Sequence, residues 1–308
     1  MKQDYIETVR LLIDIAPDIF ESPRLAMKGG TALNLFLQDM PRLSVDIDVV
    51  FVDHTLSRDD ALQAIASDLH DACVRLEQRG YDVAIPKRPG GEDVTLFVRS
   101  DMAEVKVEVN PIFRGALLPI EKVSLAPAAQ ALFTANITVP MLSRAEVYGG
   151  KLVAAMDRQH PRDIFDVLKM YETFGLEADF VDCFVAYLAG HNRPVHEVLF
   201  SADAPFDAVY NNHFRGMTRE EIALDTLLQT RTQLKQDLPK ALTSQHKYFL
   251  LSLVKGEPAW ELMPLSNLRN LPALKWKLLN LKKLKAAKPE IFSLQHVLLQ
   301  ERLDSIRN

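Results

Sequence analysis

Lys28-Gly29-Gly30-Thr31-Ala32-Leu33, followed by Arg42-Leu43-Ser44-Val45-Asp46-Ile47-Asp48-Val49, decides how this chain is read. The first stretch is a glycine turn feeding a short helix, expected over residues 32–38. The second is a basic loop running into a strand, expected over residues 44–52. Side chains alternate faces along a strand, so Asp46 and Asp48 point the same way. At about 3.3 Å per residue their Cα atoms lie roughly 6.6 Å apart, close enough for two carboxylates to converge on one hard cation. Val45, Ile47 and Val49 would then face the core. Backbone N–H groups of Gly29, Gly30 and Thr31 at a helix start attract phosphate. An acidic pair beside a glycine turn suits Mg²⁺ and a polyphosphate.

A plainer reading exists: two aspartates could mark the solvated face of an edge strand. Against it, the run is otherwise apolar up to Phe51-Val52, Asp is depleted in strands, and adjacent like charges repel unless a cation intervenes. Further on, Glu104-Val105-Lys106-Val107-Glu108-Val109 alternates strictly and predicts another strand. Lys106 and Glu108 share one face. Either that face is simply solvated, or Glu108 stands beside the aspartate pair as a third carboxylate. Adjacent strands lie about 4.8 Å apart, so convergence needs only that the two adjoin.

Composition sets the frame. The 308 residues suit two domains, and 48% hydrophobic with 25% charged residues is the balance of a globular protein. Cys73 and Cys183 are widely separated and form no C-x-x-C, which points to a reducing compartment and no cysteine zinc site. The polar start Met1-Lys2-Gln3-Asp4 predicts no signal peptide, and no apolar run is long enough for a bilayer, so a cytoplasmic protein with no membrane partner is expected. A net charge of −5 argues against a generic nucleic-acid coat but leaves room for a local basic patch.

Around these motifs, residues 5–15 show helical periodicity that stops at Pro17, and residues 59–78 predict an amphipathic helix closed by Gly80. Pro89-Gly90-Gly91 marks a turn before a strand at 94–99. Residues 119–140 read as a Pro- and Ala-rich connection. The expected division is an α/β domain at 1–140 and a helical domain at 141–308. Ser143-Arg144-Ala145-Glu146 is a capping box, and helices are predicted at 143–158, 162–174, 177–190, 218–235, 242–253, 273–286 and 292–306.

A second constellation opens the helical half. Lys151 and Arg158 lie seven residues apart on one helical face, with Ala154 and Ala155 between them. Past Pro161, the next helix carries Asp163 and Asp166 in its first turns. Two capped helices with surface ion pairs would account for all of this. The functional account makes Lys151 a cation facing a triphosphate, with Asp166 orienting Lys151 or an incoming hydroxyl.

In order and content these motifs resemble the AbiEii/MenT nucleotidyltransferase toxins of the minimal nucleotidyltransferase (DNA polymerase β-like) superfamily. The resemblance runs from Gly29-Gly30-Thr31-Ala32-Leu33 through Arg42-x-Ser44-x-Asp46-Ile47-Asp48 and Lys106-x-Glu108. It continues to Lys151…Arg158 and Arg162-Asp163-x-x-Asp166, covering about residues 28–170. One departure is the interval from Gly30 to Asp46, longer than in many superfamily members, which bears on where Thr31, a Ser in most of them, stands relative to phosphate. The resemblance implies a mixed-sheet domain completed by an all-helical one. It implies metal ions (Mg²⁺ or Mn²⁺) on Asp46, Asp48 and Glu108, and catalytic roles for Asp46, Asp48, Lys151 and Asp166. It implies an NTP held by Gly29, Gly30, Thr31, Arg42, Ser44 and Arg158, with Ser44 either a plain strand-end hydroxyl or a site of inactivating modification. The implied reaction is in-line transfer of a nucleoside monophosphate to RNA, tRNA above all, restrained by a cognate antitoxin.

Two rivals remain at this stage. One is a nucleotidyltransferase acting on a small molecule, as the aminoglycoside-modifying relatives do; the other is a non-catalytic nucleotide-binding partner protein. Residues 271–288 bear on the choice: they carry Lys275, Lys277, Lys282, Lys283, Lys285 and Lys288 around Trp276, with no acid. That is either an RNA-facing helix or a solvated amphipathic one whose Leu274, Leu278, Leu279 and Leu281 face the core with Trp276 packed. His191, His196, His213 and His246 show no metal-ligand spacing and read as ordinary polar residues.

Overall fold

The computed structural model describes residues 3–86 and 94–306; the turn expected at Pro89-Gly90-Gly91 lies outside the described residues. The chain divides into two compact units. One comprises Met1–Val147 with Gly216–Glu221, the other Tyr148–Arg215 with Ile222–Asn308.

The first unit is built from α1 (Gln3–Ile19), β1 (Leu25–Lys28), α2 (Gly29–Thr31), β2 (Asp46–Phe51), α3 (Arg58–Gln78), β3 (Asp82–Ala84), β4 (Thr95–Arg99), β5 (Glu104–Asn110), β6 (Glu121–Ser124), α4 (Pro127–Phe133), β7 (Thr138–Met141) and the start of α5 (Arg144–Asp157). The strands form one seven-stranded mixed sheet in the order β3-β4-β5-β2-β1-β7-β6. β2 runs parallel to β5 and antiparallel to β1. Alternation sets its two faces. Ile47 and Val49 pair with Val107 and Val109, all fully buried, while Asp46, Asp48 and Glu108 take the other side. On the apolar side lie α1 and α3, with Val9, Leu12, Ile65 and Leu69 in the core. Ser57 caps α3, accepting the Asp60 N–H, and Gly80 stops it at φ +89°.

Three readings are corrected here. The first helix runs through Pro17 to Ile19 rather than stopping at the proline. So close to the helix end, Pro17 forfeits only its own bond to Ile13, and Ala16 O still accepts the Phe20 N–H at 3.0 Å. The glycine turn does not open an ordinary helix over 32–38: α2 passes directly into a π-helix, Ala32–Leu37. The connection at 119–140 holds β6, α4 and β7. Strands of three or four residues, such as β3, β6 and β7, carry too little alternation to stand out.

The second unit is helical: the rest of α5, then α6 (Pro161–Thr173), α7 (Ala178–Gly190), α8 (Val195–Leu199), α9 (Asp207–His213), α10 (Leu224–Ala241), α11 (Ser244–Val254), α12 (Pro272–Ala287) and α13 (Pro289–Asp304). Its centre is aromatic, with Tyr148 stacked 4.8 Å from Phe180 and Phe184 and Phe249 fully buried. A Cβ on Gly149 would stand 2.5 Å from the Cys183 Cβ, so only glycine lets α5 and α7 cross there. α8 and α9 escaped the periodicity because one or two turns are too short to show it. The helix expected at 218–235 begins at Leu224 because the residues before it pair with the first unit. Arg42 bridges Thr218, Met217 O accepts the Leu43 N–H at 3.1 Å, and Pro41 O accepts the Arg219 N–H at 3.0 Å.

Candidate active site

The polar side of the sheet in the first unit sets a row of charges. Lys28 pairs with Asp48 across β1 and β2, and Asp48 with Glu108 across β2 and β5. One step along, Asp46 pairs with Lys106. Directly opposed residues put their side chains on one face about 5 Å apart. The adjoining of β2 and β5 therefore brings Glu108 beside the aspartate pair. Asp46 is exposed, Asp48 half-buried, and the Lys106 ammonium pairs with the Glu108 carboxylate.

The glycine turn packs against this row. Gly29 has φ +77°, and a Cβ there would lie 2.2 Å from Oδ2 of Asp48. Glycine is thus required twice over, by the left-handed backbone and by the carboxylate in the space a methyl would fill. A Cβ on Gly30 would stand 3.0 Å from Oγ of Ser44 and 3.1 Å from Nη2 of Arg42, so both side chains lean on the turn. Arg42 is 2% exposed and donates to Leu43 O at 2.9 Å. Thr31 is fully buried, and its hydroxyl donates to Asp46 O at 2.5 Å. That hydroxyl ties the turn to the strand carrying the aspartates, a positioning contact.

Sequence reasoning passed over Lys28 and Glu146. Lys28 is half-buried where β1 ends. Burial pulls its ammonium down from the ordinary lysine value, against the pull of Asp48, Glu108 and Glu146. The only signal was its place directly before Gly29; that it faces Asp48 follows from strand register. Glu146 is 1% exposed, and its carboxylate accepts the N–H groups of Leu117 (2.9 Å) and Leu118 (3.2 Å) while Ser143 Oγ accepts the Glu146 N–H. The predicted capping box thus also anchors a loop.

Within the second unit, Lys151 is 7% exposed, and its ammonium lies 2.8 Å from Oδ1 of Asp163 and 2.9 Å from Oδ2 of Asp166. Arg158 grips Asp163 from the other side, Nε to Oδ2 at 2.5 Å and Nη2 to Oδ1 at 3.0 Å, while 64% of its side chain stays exposed. Burial alone would raise the Asp163 carboxyl. The Lys151 and Arg158 charges outweigh it and hold the group well below the usual carboxylate range. These are not the surface ion pairs a sequence suggests: the acids and the ammonium are buried and compensate one another. His160 caps α6, its Nδ1 accepting the Arg162 N–H at 3.1 Å; burial, then Arg162, pushes the ring down to about 4, which keeps Nδ1 an acceptor. Asp163 was visible in Arg162-Asp163-x-x-Asp166, one turn before Asp166, but read only as a helix-end acid.

Residues 10–278 match the family described as nucleotidyl transferase AbiEii toxin, type IV TA system. The chain belongs to the AbiEii nucleotidyltransferase toxin family. It is therefore a nucleotidyltransferase, and as a type IV toxin it has an antitoxin counterpart. Its fold is similar to that of MenT4, a nucleotidyltransferase toxin from Mycobacterium tuberculosis H37Rv, with a TM-score of 0.57 at 20% identity over 80% of this chain and 88% of that one. No curated protein matches the chain.

AbiEii enzymes take an NTP and a divalent metal, and the residues present suit such an ion. Asp46, Asp48 and Glu108 offer hard carboxylate oxygens from adjoining strands on one open face. The glycine turn leaves the space that the Asp48 carboxylate occupies. Among the described residues, no three His, Cys, Asp or Glu side chains are gathered closely enough to hold a metal ion. The acidic row lies next to Lys28 and Lys106 instead.

Proposed function

We propose that this AbiEii toxin transfers a nucleoside monophosphate from an NTP to RNA in a Mg²⁺-dependent reaction, with tRNA as the acceptor. The observation that carries the metal chemistry is the register placing Asp46, Asp48 and Glu108 on one sheet face, with Asp48 packed on Gly29.

Asp46 and Asp48, joined by Glu108, would hold the divalent ions. The chemistry such ions would supply there is activation of an acceptor hydroxyl and neutralisation of triphosphate charge. The chain's own residues supply the rest. Thr31 fixes the turn on β2, so Gly29 and Gly30 present their backbone to the nucleotide at a set distance from Asp48. Arg42 and Ser44, against Gly30, form the phosphate-facing edge, and Lys28 adds positive charge beside Asp48. Lys151 serves as the transfer-step cation, with Asp163 and Asp166 holding it and Arg158 reaching outward to phosphate.

The test is to incubate the protein with each α-labelled NTP, Mg²⁺ and total RNA. Label should enter an RNA of tRNA size and vanish with chelator. Asp46→Asn and Asp48→Asn should lower transfer by about 10³-fold or more while keeping the wild-type melting profile. Lys151→Met should lower it by about 10²-fold or more. Label appearing only on small molecules would refute the RNA reading.

A further inference from the structure

We infer that the outward face of α12 docks the acceptor RNA through exposed lysines and a half-exposed indole. The inference rests on the RNA reading above and names the surface of the helical unit that meets the substrate.

The rotation of α12 is fixed by its one buried lysine. Lys277 is 6% exposed and donates to the carbonyls of His191 (2.8 Å) and Arg193 (2.7 Å), capping the chain where α7 ends. With Ala273, Leu274, Lys277 and Leu281 inward, Lys275, Lys282, Lys283 and Lys285 point to solvent, and Lys288 follows at the helix end. No acid interrupts residues 271–288, in a chain whose net charge is −5. The positive face is therefore concentrated locally, and a polyanion is complementary to it.

Trp276 narrows the partner. It is 50% exposed, and the Lys283 ammonium lies 5.8 Å from its ring centroid. The amphipathic reading expected Trp276 packed and Leu279 inward; both are exposed, Leu279 at 43%. An indole kept in water beside lysines offers a stacking plane to an unpaired base, while the ammonium groups take the phosphates. Exposed Ile291, Leu294 and Val297 on α13 would suit a protein partner instead, and the experiment separates the two.

The experiment uses the full chain and fluorescein-labelled bulk tRNA, with anisotropy read from 0.05 to 0.3 M salt. Lys282→Glu/Lys283→Glu should weaken binding at least tenfold at 0.1 M salt. It should also flatten the slope of log K against log salt by about 1.4, from roughly 0.7 per lost phosphate contact. Trp276→Ala should weaken binding roughly tenfold with the slope unchanged. Lys122→Glu/Lys240→Glu, an equal charge change at exposed lysines elsewhere, should bind as wild type. Lys282→Gln/Lys283→Gln replaces the reversal should that variant melt early. Wild-type affinity in the α12 variants, with RNA still labelled by the wild-type enzyme, overturns the docking surface and leaves the RNA reading standing. Wild-type protein that neither binds nor labels RNA overturns both. Intact tRNA binding by the α12 variants, with self-association of the wild type lost in them by light scattering, overturns the inference and gives the face to protein.

Discussion

A methyl group on Gly29 would displace the Asp48 carboxylate, which makes this position the sharpest probe of the site. Gly29→Ala also forces a side chain onto φ +77°, costing about 1 kcal/mol or more. Transfer should fall by about two orders of magnitude with only a modest drop in melting temperature, measured by initial rate and calorimetry on the same sample. Thr31→Val removes the bond to Asp46 O and should cost about 1 kcal/mol. Lys28→Met keeps the bulk and loses the charge beside Asp48. A raised KM for NTP with an unchanged melting profile would place Lys28 on substrate; an unchanged KM would assign it to the sheet. Asp46 and Asp48 were legible because a period of two is local. Lys28 was not, because only the pairing of β1 with β2 decides what it faces.

At the scale of elements, α5 and α6 are joined by the buried Lys151, Asp163 and Asp166, with the exposed Arg158 gripping Asp163 from outside. Removing one partner from a buried pair costs roughly 3–5 kcal/mol, and Asp163→Asn should do so. The acid limb carries a second signature. The folded carboxyl is held far below its ordinary value of 3.8. The stability it contributes is therefore complete above about pH 4. It is lost progressively as the pH falls from about 4 toward the folded value, because the unfolded chain takes up the proton first. Denaturant titrations from pH 3 to 6 should show a steeper loss for wild type than for Asp163→Asn; parallel curves would contradict the charge account. Both helices were legible from periodicity and the Pro161 break. The link between them was not: Lys151 reads as solvent-facing until α6 folds back against it.

At the scale of the molecule, the AbiEii match spans both compact units, so neither alone accounts for the family. Residues 216–221 return from the helical half to pair beside Arg42, a connection between segments far apart in sequence that no local pattern announces. The α/β-then-helical order was legible; this exchange and the short edge strands were not. Two cores predict two calorimetric transitions. Mg²⁺ with the NTP that supports transfer should stabilise the first unit by about 2.7 kcal/mol at a hundredfold excess over Kd, and Asp48→Asn should erase that shift. Everything turns on a divalent ion at the aspartate pair. Mn²⁺ titrated into the protein with a non-hydrolysable NTP analogue, and followed by the loss of free-ion paramagnetic resonance signal, reads this most directly. Saturable tight binding by wild type that disappears in Asp46→Asn/Asp48→Asn is the result this account predicts; equal binding by both proteins would contradict it.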